Sequence, residues 1–172
     1  MTALFDAQRV MASAEPDRLS TALRHAQESA QLAADAGRSD IECEALETVA
    51  LSLRPADLDG SMTVLRRMLA IAEGGGWHHW RLRALNELGA AEMLRYADGS
   101  RLHEAYRLAV LSGAVATAGG VRVNLAALHA MCGRHAEVIE VASRAEDMLA
   151  RVGIEPVKAA AVRLMDPLPR SV

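Results

Sequence analysis

Apolar side chains recur at steps of three and four residues along most of the chain. One stripe runs from Leu19 to Ala33, a second from Leu58 to Ala72, and a third from Val138 to Val152. Residues at this spacing share one face of an α-helix, whereas no segment shows convincing strand alternation. The pattern predicts an all-α protein with helices at 2–14, 17–36, 40–53, 58–73, 77–96, 100–112, 115–132, 134–152 and 156–165.

Glycines at nearly constant intervals mark the ends of helices. Gly37, Gly74, Gly113 and Gly153 are separated by 37, 39 and 40 residues, and glycine closes helices readily because it has no Cβ. Further glycines and prolines divide each interval into two helices, and a period near 40 residues is typical of stacked helix hairpins. We therefore predict an α-solenoid of stacked helix hairpins with about eight or nine helices. It forms a single helical-repeat domain at 1–165, followed by a short proline-containing tail at 166–172.

Two short motifs predict local features of these helices. Ser39 and Glu42 fit a capping box, in which each side chain satisfies a backbone N–H of the other residue at the start of a helix. Gly119 and Gly120 fall within a predicted helix, where each glycine destabilises by about 1 kcal/mol relative to alanine. We expect a bend or a delayed helix start at this pair.

The composition favours helices and excludes several classes of function. Alanine and leucine supply 56 of 172 residues, and aromatic residues only five, which argues against a β-sandwich or barrel. The 19 basic and 22 acidic residues nearly cancel, so no overall basic footprint for nucleic acid is visible. The single lysine, Lys158, stands between Val157 and Ala159, which excludes a phosphate-binding loop of Gly-Lys-Ser/Thr type.

The sequence predicts a cytoplasmic protein. Asp6 interrupts the position where a secretion signal needs an apolar core. The longest uncharged run, 108–121, has 14 residues, whereas about 20 are needed to span a bilayer. Cys43 and Cys132 are isolated thiols and form no disulfide framework.

Two stretches resemble tetratricopeptide units. Residues 81–94 resemble the first helix of such a unit, with Leu88-Gly89 at its signature position, and residues 122–145 resemble the next unit. Residues 80–89, 101–105 and 112–118 together resemble the helical-repeat region of large LuxR-type transcriptional regulators that carry an ATPase module, over roughly residues 20–165. The resemblance implies a scaffold that senses ligands or contacts partners. The sequence shows neither a phosphate loop nor a recognisable LuxR-type helix-turn-helix, so ATP hydrolysis and DNA binding are not carried over.

The most distinctive candidate binding residues are consecutive: Trp77, His78, His79 and Trp80. They stand at the predicted start of a helix, where backbone donors favour anions. They are therefore candidates for a ligand or partner pocket. In the competing interpretation, which the general burial of tryptophan favours, one tryptophan fills the interior and the histidines face water.

A concave groove is the second candidate site. By analogy with tetratricopeptide arrays, the first helix of each hairpin lines it, which places Arg83, Asn86, Ala90 and Met93 inward, joined by Val123 and Ala127. Asn86 is predicted to bind a backbone amide or carbonyl group, and Arg83 a carboxylate in bidentate fashion. The occupant expected there is a protein partner or a small ligand.

Two charge clusters have ordinary surface roles as their simplest interpretation. Glu42, Glu44 and Glu47 form a carboxylate group for which a solvated helix face is the simplest account. A positive patch consists of Arg66, Arg67, Arg81 and Arg83. It either pairs with those carboxylates, meets an acidic partner, or is ordinary surface charge.

A metal site is the weakest of the chemical alternatives. His129, Cys132 and His135 are spaced three apart and carry zinc-binding groups. Gly133 is expected to end a helix between the second and third of them, and no fourth ligand is evident. We therefore expect no metal, no cofactor and no catalytic residue.

Three hypotheses of function follow. The preferred one is a non-enzymatic binding module that self-associates through poorly capped terminal helices and contacts neither nucleic acid nor membrane. The second is a small all-α enzyme or metal-binding protein that uses His78 and His79, or the group of His129, Cys132 and His135. The third is a truncated fragment of a regulator with no independent role.

Overall fold

The structure is a computed structural model that describes residues 17–153. All regular elements in that range are α-helices, which confirms the predicted all-α class. They are α1 (Arg18–Asp35), α2 (Ser39–Leu53), α3 (Leu58–Gly74), α4 (His78–Tyr96), α5 (Ser100–Leu111), α6 (Val115–Met131) and α7 (His135–Ala150). Each bound agrees with the sequence prediction to within two residues. The predicted helices at 2–14 and 156–165, and the tail at 166–172, lie outside the described residues, so the count of eight or nine helices stays a prediction.

One turn motif recurs between the helices. Gly37, Gly76, Gly113 and Gly133 have φ between 64° and 70°, the left-handed region where a Cβ would clash. After each glycine, the next backbone N–H returns to a carbonyl five residues earlier, at 2.8–2.9 Å. These are Schellman motifs, which satisfy the last carbonyls of a helix. Gly74 was predicted to be the left-handed residue that follows this helix. It is instead the last helical residue of α3, and Gly76 has the left-handed conformation.

The start of α2 corrects one local prediction. Arg38 occupies the cap position and Ser39 is already helical, without a capping hydrogen bond from a side chain. The expected capping box of Ser39 and Glu42 therefore does not form. Asp57 does cap a helix: its side chain accepts a hydrogen bond from Gly60 N at the start of α3 (2.8 Å).

The chain divides into two compact units, residues 1–91 and 92–172. In the described part of the first unit, α1 packs on α2 and α2 packs on α3. The α1 face contributes mainly alanines, and the α3 face contributes larger side chains: Met62, Leu65 and Met68, each no more than 1% exposed. Both helices pack on α2, so small side chains cover it on the α1 side and larger ones on the α3 side.

In the second unit α6 packs on both α5 and α7. The helix runs unbroken from Val115 through Gly119 and Gly120, so the expected delayed start does not occur. A Cβ built on Gly119 would lie 2.5 Å from Leu149 Cγ, whereas one on Gly120 would meet open space. Close packing against α7 therefore accounts for the first glycine and not for the second.

Candidate functional site

The turn between α3 and α4 holds an open pocket of about 300 Å³. Its lining comes from the last turn of α3, the glycine linker and the first turn of α4: Ala72, Glu73, Gly76, His78 and Arg81. The Schellman bond from Trp77 N to Ala72 O, 2.8 Å long, fixes the angle between the two helices. One of the predicted site residues, His78, is thus part of a pocket wall.

Two opposite charges on the wall of this pocket pair with each other. Arg81 Nε lies 3.3 Å from Glu73 Oε1, and the two side chains are 33% and 51% exposed. Such an exposed pair contributes little to stability because water screens it. Arg81 was predicted within a positive patch, whereas Glu73 was not singled out. The sequence did contain a signal for this pair: Glu73 and Arg81 are eight residues apart and flank a run of three glycines, where a tight turn brings the two helix ends together.

The remaining residues of the aromatic cluster adjoin the pocket-lining residues in sequence and are more exposed than expected. Trp77 is 44% exposed, His78 and His79 are exposed, and Trp80 is half-buried. The His79 ring meets the Trp80 ring edge-on at 5.1 Å, and the Arg83 guanidinium lies 5.3 Å from the centre of the Trp80 ring. The histidines face water as the competing interpretation held, and neither tryptophan is fully buried.

Arg83 binds a carboxylate in bidentate fashion, but the carboxylate belongs to this chain. Its Nε and Nη2 donate to the two carboxylate oxygens of Glu47 on α2. These hydrogen bonds raise the pKa of the Arg83 guanidinium above its ordinary value. Asn86 donates to Glu87 Oε1 at 3.0 Å. Both residues thus contribute to the internal structure of the first unit.

Two predicted groove residues are buried. Met93 is 5% exposed and Ala90 is 7% exposed, so neither side chain presents a surface to an occupant in this structure, and the groove stays a prediction. Val123 and Ala127 are partly exposed. Periodicity identifies a helix face without showing whether another helix covers it.

The carboxylate cluster on α2 is not a solvated face. The side chains of Glu42 and Glu47 are each only 9% exposed. Glu42 Oε1 accepts from Arg67 of α3 at 2.6 Å, and Glu47 accepts from Arg83 as described. Arg67 and Arg83 of the predicted positive patch therefore pair with these carboxylates, which was one of the three interpretations of the patch. Buried carboxylates need such partners because desolvation without them is costly.

The histidine and cysteine residues of the predicted metal alternative do not form a site. Within residues 17–153, no three His, Cys, Asp or Glu side chains come together in a group able to hold a metal ion. This range includes His129, Cys132 and His135. The first lies on α6, the second follows the end of that helix, and the third begins α7, so the turn at Gly133 separates them.

Comparison with known proteins adds no relationship. No protein-family model matches the chain, and no curated protein matches it. Among the helices of the described part, none has both the length and the apolar character that crossing a bilayer requires.

Proposed function

We propose that the chain is a non-enzymatic binding module of tetratricopeptide-like stacked helix hairpins (an α-solenoid), which takes a small ligand at the turn between α3 and α4. The observation that carries this proposal is the 300 Å³ pocket, whose walls present His78, Arg81 and Glu73 to solvent. A concave surface with a few convergent polar groups is the usual form of a ligand site. The recurrent Schellman turns and the packing of consecutive helices support the hairpin architecture.

The pocket is favoured over the groove because two side chains on its wall, His78 and Glu73, are exposed to water. Arg83 and Asn86 are engaged by Glu47 and Glu87, and Met93 is buried. His78, by contrast, is exposed at the rim of an open cavity. The LuxR-type resemblance places such a module in a transcriptional regulator, with the ligand as the signal. That context remains part of the proposal, and an ATPase or helix-turn-helix encoded in the neighbouring DNA would support it.

A thermal-shift screen of a small-molecule library tests the proposal. A ligand that binds only the folded state raises the melting temperature, and the rise increases with the logarithm of the ligand concentration above Kd. The screen compares the wild-type protein with His78→Ala and Arg81→Gln, which alter exposed pocket walls. Arg144→Gln is the matched control, because Arg144 forms an exposed pair with Glu140 on α7 (2.8 Å).

We expect hits that stabilise the wild-type protein and the Arg144 variant but lose their effect in the two pocket variants. Circular dichroism confirms that all four proteins are folded. A library without any hit, or hits that are indifferent to both pocket variants, would contradict the proposed function.

A further inference from the structure

We draw no further inference here: the strongest candidate, the uncharged and partly exposed stripe of α6 formed by Gly120, Val123, Ala127 and Ala130, carries none, because nothing in the described residues shows what covers it.

Discussion

Arg83 of α4 holds both carboxylate oxygens of Glu47 of α2, and the two partners differ in their access to water. The Glu47 side chain is 9% exposed, whereas the Arg83 side chain is 44% exposed. A partly exposed arginine thus neutralises a carboxylate that is almost completely buried. The Trp80 ring lies 5.3 Å below the same guanidinium.

This asymmetry predicts that the two partners are unequal in their effect on stability. Arg83→Met leaves the buried Glu47 carboxylate unpaired and should lower the free energy of unfolding by about 2–3 kcal/mol. Glu47→Gln leaves the half-exposed guanidinium to water and should lower it by only about 1 kcal/mol. Urea denaturation at pH 7 measures both values.

The exposed pair of Glu140 and Arg144 is the matched control for that measurement. Its side chains are 60% and 61% exposed, so Arg144→Met should change stability by less than about 0.5 kcal/mol. Equal losses from Arg83→Met and Glu47→Gln would contradict the assigned difference in burial.

The adjacent glycines of α6 should respond to alanine with opposite signs. Gly120→Ala is expected to stabilise the protein by about 1 kcal/mol, because alanine is the better helix former and its Cβ meets open space. Gly119→Ala drives a Cβ against Leu149, and overpacking of this kind costs about 1–3 kcal/mol. The net result should be a loss of about 1 kcal/mol. Thermal unfolding of the two variants compares them directly, and stabilisation by both would show that α7 moves aside without cost.

Ala97, between α4 and α5, is a site where glycine should improve stability. Its φ is 54°, a left-handed conformation that is unfavourable by about 1–2 kcal/mol for a residue with a Cβ. Ala97→Gly removes that strain and adds chain entropy to the unfolded state, so a net gain of about 0.5–1 kcal/mol is expected. Ala70→Gly, at an exposed position within α3, should lose about 1 kcal/mol in the same urea assay. A loss from both substitutions would contradict the strained conformation.

The two cysteines should differ sharply in reactivity. Cys132 is exposed and Cys43 is buried, and burial raises the pKa of the Cys43 thiol to about 11. Because the thiolate is the reactive form, Ellman's reagent at pH 8 should modify one thiol per native chain and two per chain in urea. Cys132→Ser should leave no fast-reacting thiol, and rapid modification of that variant would contradict the burial of Cys43.

The same pKa shift predicts a dependence of stability on pH. A thiol whose pKa is higher in the folded state stabilises the fold fully below its ordinary value of 9.0. That contribution is lost as the pH rises from 9 towards 11. Urea midpoints measured across this range should fall more steeply for the wild-type protein than for Cys43→Ala, and parallel curves would speak against the shift.

The helices were predictable because their determinants are local. Apolar spacing and turn glycines gave the bounds of all seven described helices to within two residues. The capping-box prediction for Ser39 and Glu42 failed because the neighbouring Arg38 forms a different local interaction. Arg38 takes the cap position expected of Ser39 and donates to Asp40 at 3.0 and 2.8 Å, which orders this turn without a capping box.

The candidate residues were only partly predictable from the sequence. His78 was singled out and lies on the pocket wall, whereas Arg83, predicted to bind a ligand carboxylate, is engaged by a carboxylate of its own chain. The partnership of Glu47 with Arg83 spans 36 residues, and neither periodicity nor composition distinguishes it from two surface charges. A polar residue such as Glu47 on a helix that is otherwise buried is the signal that predicts an ion pair, because an unpaired charge would be too costly there.

Both tryptophans stand within four residues of each other at the start of α4, in the first of the two compact units. Emission excited at 295 nm therefore follows the melting of residues 1–91 alone, while far-ultraviolet ellipticity follows the helices of the whole chain. Superimposable curves would mean that the two halves unfold in one cooperative step. Curves with separate midpoints would mean that each half is an independent folding unit, without any engineered label.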